Sequence, residues 1–427
     1  MNVKLRLTVM NFLQFFIWGS WLITIGAYWF QNKGWSGAQF GAIFSTMGIA
    51  SLFMPTIAGF LADRYINAER LYGIFHILGG AVLFFIPQVS DPGTFFWVIL
   101  LNMIFYMPTI ALSNAVAYSI LKKSGANVVK DFPPIRVWGT IGFIVALWVV
   151  SLLHFETSPN QFYVASIAAI LLGIYSFTLP PSPPQGRTAK VGENTQSAIN
   201  FNAFALFKNY KMAMFFIFAM LLGAALQLTN AYGDTFLHDF ANDPKYAGTI
   251  AVKYPAIIMS ISQISETLFI LAIPFFLRRF GIKQVMLISM IAWVLRFGLF
   301  AYGNPAEGLW MIILSCIVYG MAFDFFNISG SLFVETETSA TIRASAQGLF
   351  MMMTNGVGAV LGSLISGFVI QHYFTDAAGD KDWQGIWLSF AGYALVVAIL
   401  FVFLFKHKHR PSDLDRDNAE LLEMTPH

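Results

Sequence analysis

Residues 310–330 read WMIILSCIVYGMAFDFFNISG, and residues 257–276 read IIMSISQISETLFILAIPFF. Each is a run of about 20 mostly apolar residues, the length of helix that crosses a hydrocarbon layer about 30 Å thick. In lipid a backbone must satisfy its own hydrogen bonds, so such a run is a membrane helix. Each also holds one acid near its middle, Asp324 in the first and Glu266 in the second. A carboxylate at that depth is costly and persists where it has a partner, a water-filled cavity or a function.

The pattern repeats along the chain. Its 427 residues are 57% hydrophobic and only 11% charged, with a mean hydropathy of +0.65; a soluble domain carries about 25% charged residues. Unbroken apolar runs exclude an outer-membrane barrel, whose strands are alternating segments of about ten residues. The first apolar stretch is too long for a signal peptide and reads as a first transmembrane span. Gly, Pro and charge punctuate twelve spans: 7–30, 38–62, 71–88, 94–121, 134–154, 161–180, 211–238, 250–277, 284–303, 308–334, 344–372 and 384–405. The fold class is therefore an all-α membrane protein with twelve transmembrane helices.

The longest polar break, PPSPPQGRTAKVGENTQSAIN at 180–200, reads as a flexible linker. It divides the chain into an N-terminal six-helix half at 1–180, a cytoplasmic linker at 181–210, a C-terminal six-helix half at 211–406 and a cytoplasmic tail at 407–427. The stretch FNAFALFKNYK after the break reads as a surface helix or an extension of the seventh span. With both termini on one side, that side collects most of the Lys and Arg, leaving Lys33, Lys245, Lys253 and Lys381 opposite. This asymmetry places both termini in the cytoplasm. GFLADRYINAERL after the second span is echoed by FFLRRFGIKQVML after the eighth, as in transporters built from two parallel halves. The first copy resembles the loop motif of the major facilitator superfamily through Gly59, Asp63, Arg64 and Arg70; the second has lost the acid.

No phosphate-cradling glycine loop, metal-spaced His cluster or nucleophile elbow is visible, so neither cofactor nor catalytic site is expected. Cys316 is the lone cysteine, which excludes an intrachain disulfide. The remaining chemistry lies in polar residues at helical spacing. Arg136, Thr140 and Phe143 share one face, and Gln227 with Asn230 and Gln263 with Glu266 are i and i+3 pairs. Tyr319 and Phe323 are i and i+4, with Asp324 adjacent. Amides and carboxylates bond sugar hydroxyls and heterocycle edges, and aromatic rings stack on a flat base. For any one Gln or Asn, hydrogen bonding between helices is the alternative, and Arg136 alternatively snorkels to the interface. His76 reads as a satisfied core histidine, Asp234 as solvated at a helix end, Glu335 and Glu337 as solvated or paired with Arg343, and Arg296 as a helix residue near no obvious acid.

FLQFFIWGSW, DFPPIRVWGTIGFI, ISQISETLFILAIPFF, YGMAFDFFNISGS and RASAQGLFMMMTNG resemble the bacterial nucleoside:proton symporter family of the major facilitator superfamily. The resemblance runs from the first span to the twelfth. It implies two pseudo-symmetric six-helix halves, residence in the bacterial inner membrane, and proton-coupled uptake of purine or pyrimidine nucleosides. It also implies a central site lined by Arg136, Thr140, Phe143, Gln227, Asn230, Gln263, Glu266, Tyr319, Phe323 and Asp324, without nucleic acid or an obligate protein partner. Ala225 departs from relatives that can carry an acid there. Asp324 and Glu266 are the proton-coupling candidates, Asp324 favoured, because protonation removes the cost of a bare charge in low dielectric. A proton-coupled sugar or oligosaccharide symporter is the alternative within the fold; a membrane-embedded enzyme or a sensor lacks support in the sequence.

Overall fold

The computed structural model describes residues 2–126, 128–184, 201–338 and 343–407, without the side chains of Asp63 and of 128–130, 201–203 and 343–345. Twelve helices follow the expected spans: α1 Val3–Gly19, α2 Gly37–Arg64, α3 Ala68–Phe85, α4 Pro92–Lys123, α5 Val128–Leu152 and α6 Asn160–Ser176. The second half holds α7 Tyr210–Asp239, α8 Pro255–Phe280, α9 Ile282–Tyr302, α10 Leu309–Glu337, α11 Ala359–Tyr373 and α12 Trp383–Leu404. Among the described residues, ten helical spans are long and apolar enough to cross a membrane, and Asn160–Ser176 is a shorter apolar helix. Leu271, Phe403 and Trp97 are among many large apolar side chains left exposed, as a surface solvated by lipid requires.

Three local departures have physical causes. The first span is not one helix: α1 stops at Gly19, turns follow, and the chain resumes as Ile25–Ala27 and a π-helical Tyr28–Asn32. Ser20 Oγ donates to the Phe16 carbonyl at 2.7 Å, the back-bonding that bends helices. Before α11 the helix Arg343–Met351 likewise passes through a π-helical Met352–Gly358. The start of the expected linker is pinned, not loose. Ser182 N donates to Glu69 Oε2 at 2.7 Å, and Lys123 Nζ donates to the Pro181 carbonyl at 2.6 Å. Phe201–Lys208 is a separate 3-10 helix ahead of α7. Residues 185–200 of the linker and 408–427 of the tail lie outside the described residues.

By internal contact the chain forms two compact units. One comprises Met1–Asn200, Leu226–Ser260 and Asn355–Asp382; the other comprises Phe201–Ala225, Ile261–Thr354 and Trp383–His427. These units cut across the two six-helix halves, since α7 and α8 each contribute to both. In the first unit α1 packs on α5 and α6, α3 on α4 and α6, and α2 on α4 and α11. Lipid supplies no hydrophobic force between helices, so close backbone approach carries the packing. A Cβ on Gly367 would lie 2.8 Å from the Gly41 Cα, which requires glycine where α2 meets α11. In the second unit α9 packs on α10 and α12, and a Cβ on Gly320 of α10 would lie 2.7 Å from the Ser265 carbonyl oxygen of α8.

The expected loop motif falls at the end of α2. Arg64 lies over the Phe60 ring at 4.9 Å, and Arg70 Nε is 3.9 Å from Glu69 Oε1. Gly59 serves no close packing, because a Cβ there would meet nothing within 4 Å. The Asp63 side chain lies outside the described residues.

Candidate functional site

In the second unit the stripe on α10 is assembled around Tyr319. Its ring stacks on Phe323 at 6.4 Å and 10°, and Trp293 meets it edge-on at 5.9 Å. Asp324 is 5% exposed, and its Oδ2 has no hydrogen-bond partner among the described residues. Glu266 of α8 lies within electrostatic range of both Asp324 and Tyr319. Gln263, one turn before Glu266, is half-buried. The positions are held by side-chain bonds between helices: Ser265 Oγ donates to the Ile317 carbonyl, and Ser289 Oγ to the Ala322 carbonyl at 2.5 Å. The structure thus brings Glu266, Tyr319, Phe323 and Asp324 into one cluster.

Arg296 belongs to that cluster, which its sequence surroundings did not reveal. It is 1% exposed, with its guanidinium 4.6 Å from the Tyr319 ring centre and 4.9 Å from that of Phe300. Its Nη1 donates to the Ser315 carbonyl at 2.9 Å, and Ser315 Oγ returns a bond to the Arg296 carbonyl at 2.9 Å. A cation against the face of an aromatic ring is attracted by its quadrupole, which helps to hold the ring in place.

In the first unit Arg136 does not simply reach for the interface. Its guanidinium lies 4.1 Å from the Phe15 ring centre, and its charge bears on Tyr106. Tyr106 stacks on Trp18 at 4.5 Å and 9° and donates to the Gln14 carbonyl at 2.7 Å. The Gln14 side chain then gathers a buried network. Its Nε2 donates to Thr109 at 2.9 Å, while Tyr72 at 2.7 Å and His76 at 2.8 Å share its Oε1. His76 is thus a satisfied core histidine. Thr140 is half-buried and Phe143 buried on the α5 face with Arg136. Gln227 is buried with its Oε1 unpartnered among the described residues, and Asn230 is half-buried one turn on. Phe15, Trp18 and Tyr106 were missed because aromatics make up 16% of the chain and none stands out by spacing.

Asp234 is corrected outright: it is not solvated but 0% exposed. His238 Nε2 lies 3.4 Å from its Oδ2 and 2.8 Å from Glu156 Oε2. The three donor atoms lie within 4.8 Å of one another, as a shared ion requires. The 2.8 Å contact has the length of a charge-assisted hydrogen bond and is shorter than the separation of about 3.3 Å between two ligands of one tetrahedral zinc. The arrangement therefore fits a shared proton better than a metal. Glu337, expected to be solvated or paired with Arg343, pairs with Lys211 and lies 3.5 Å from His407 Nδ1.

The family model described as "Nucleoside H+ symporter" matches residues 1–410. The xanthosine permease of Escherichia coli (strain K12) is 55% identical over 402 residues, covering 94% of this chain and 95% of that one. The nucleoside permease NupG of the same organism is 53% identical over 403 residues, covering 94% and 96%. The crystal structure of NupG superimposes with a TM-score of 0.89 at 52% identity, covering 96% of this chain and all of the other. With matches of this extent in both sequence and fold, the chain belongs to the nucleoside H+ symporter family and is a multi-pass membrane transporter, not an enzyme.

Proposed function

We propose that this transporter moves purine or pyrimidine nucleosides together with protons into the cell across the bacterial inner membrane, both termini being cytoplasmic. The observation that carries this reading is the α8–α10 cluster. A buried carboxylate with an oxygen unpartnered among the described residues, Asp324, lies within electrostatic range of a second acid and follows Phe323 of a pair of parallel rings. Family membership and the 53–55% identity to nucleoside and xanthosine permeases support the solute class.

The proposed roles follow from chemistry. Tyr319 and Phe323 stack on the base, and Glu266 with Gln263 accepts and donates to ribose hydroxyls. Asp324 takes the proton, which leaves one negative charge where two carboxylates would face each other. In the first unit Arg136, Thr140, Phe143, Gln227 and Asn230 are the proposed solute contacts. Alternating access proceeds by rocking of the two six-helix halves. The test is a panel of labelled nucleosides in proteoliposomes with and without an inward pH gradient, with disaccharides as competitors. Gradient-driven nucleoside uptake that disaccharides leave unchanged is expected. Displacement by disaccharides would favour a sugar symporter.

A further inference from the structure

The most elaborate cluster outside the proposed solute contacts lies in the first unit, where the loop 153–159 meets the ends of α7 and α8. The loop is tied down from three directions. Gln161 Nε2 donates to the Glu156 carbonyl at 2.7 Å and the Ser158 carbonyl at 3.1 Å, and Thr24 Oγ1 holds the Gln161 Oε1 at 2.8 Å. His154 stacks on Tyr254 at 5.5 Å. The Glu156 carboxylate is split between two helices. Oε1 accepts from the Ala256 N–H, one of the orphan donors in the first turn of α8. Oε2 faces His238 Nε2 at 2.8 Å on α7. Asp234, one turn back, has its Oδ2 3.4 Å from the same nitrogen and is fully buried, with neither carboxylate oxygen hydrogen-bonded among the described residues. A single imidazole nitrogen thus lies within 3.4 Å of two buried carboxylates. The further charges bearing on the cluster are Asp239 on α7 and Lys381, whose Nζ is 3.2 Å from Asp239 Oδ2.

We propose that Glu156, Asp234 and His238 form a second proton-binding site, separate from Glu266 and Asp324, that latches the α5–α6 loop to α7 and α8. With neutral imidazole the cluster holds two buried negative charges. One added proton makes the imidazolium and leaves one net negative charge, with no other bond made or broken. Glu156 belongs to the first six-helix half and Asp234 and His238 to the second, so rocking of the halves parts them in every cycle. The proton is held while the latch is closed and exchanges when it opens. This rests on the proton-coupled reading above and adds a proton site to it.

The test is uptake in proteoliposomes against external pH for the wild type, His238→Gln, Glu156→Gln and Asp234→Asn, with nucleoside binding to purified protein measured alongside. His238→Gln is expected to move the midpoint of the pH profile and to lower uphill uptake about tenfold, while binding stays within about twofold. A His238→Gln profile that superimposes on a pH-dependent wild type overturns this site alone. A wild type indifferent to pH overturns both this site and the proton-coupled function. Loss of wild-type uptake on chelation, restored by zinc, would assign the three donors to a metal and overturn the proposal. Should the variants fail to fold, hydrogen exchange of residues 153–160 in the wild type decides it. Faster exchange towards alkaline pH, corrected for intrinsic rates, is expected, and a pH-independent rate overturns the latch.

Discussion

Two pairs of acids sit in this protein, and they are buried in opposite styles. Asp234 and Glu156 close on a histidine, so that each carboxylate has a proton donor within 3.4 Å. Asp324 keeps one oxygen without a hydrogen-bond partner among the described residues, within electrostatic range of another acid, with a cation placed against the Tyr319 ring. In the first arrangement an imidazole stands between the two acids; in the second the cation lies against a ring, and Asp324 awaits a solute or a proton. Burial and an unfilled hydrogen bond mark an acid of each pair, Asp234 and Asp324; what separates the pairs is the imidazole that faces the first.

The sharpest way to break this contrast is Asp324→Asn. The amide keeps the shape and loses the proton, so gradient-driven uptake should fall about 100-fold or more, the scale of the 2.5–3.5 kcal/mol cost of an intramembrane charge. Counterflow, which requires no net proton movement, should survive. Uptake by Asp324→Asn vesicles that still follows the proton gradient would remove Asp324 from the coupling role and make the two acid pairs equivalent.

Arg296→Ala is the next largest change. It deletes a buried cation, its bond to the Ser315 carbonyl and its contacts with Tyr319 and Phe300. A loss of about 2 kcal/mol of stability is expected, read as a lower melting temperature in detergent. Arg296→Lys should recover part of the stability but less of the transport, because an ammonium lacks the flat face that orients the ring. Equal transport by the Lys variant would show that only the charge matters.

Glu266→Gln probes the division of labour between Glu266 and Asp324. If Glu266 bonds ribose, replacing a charged acceptor by an amide should weaken nucleoside binding about tenfold, the 1.5–3 kcal/mol class of charged hydrogen bonds. Calorimetric titration at fixed pH measures it. Unchanged affinity would leave Glu266 no direct contact with the solute and make it an electrostatic neighbour of Asp324.

The contrast also marks what can be read from one sequence. Most of the spans were legible because each writes its length as a long apolar run, and Asp324 and Glu266 because each interrupts one. The break after Gly19 was not, since it depends on where Ser20 Oγ turns. Nor was the Glu156 cluster: Glu156 sits in a loop, and its partners lie on a helix far along the chain, so no window of sequence contains them together. Arg296 looked isolated for the same reason, its aromatic and carbonyl neighbours coming largely from α10. Helical spacing reports neighbours on one helix and is silent about the next.

The smallest expected effect comes from an acid of a third kind, exposed and capping. Asp91 precedes α4, and its Oδ1 accepts from the Thr94 N–H at 2.8 Å. That backbone bond holds its carboxyl below the ordinary value of 3.8. A carboxylate whose pKa is depressed on folding contributes stability above its unfolded value and loses it as pH falls through the folded one. The melting temperature of Asp91→Ala should therefore lie slightly below wild type at pH 7, and the gap should close as pH drops below about 4. A gap of constant size from pH 7 to pH 3 would mean that the cap works as a neutral hydrogen-bond acceptor. In that case even this exposed acid would owe its role to geometry rather than charge.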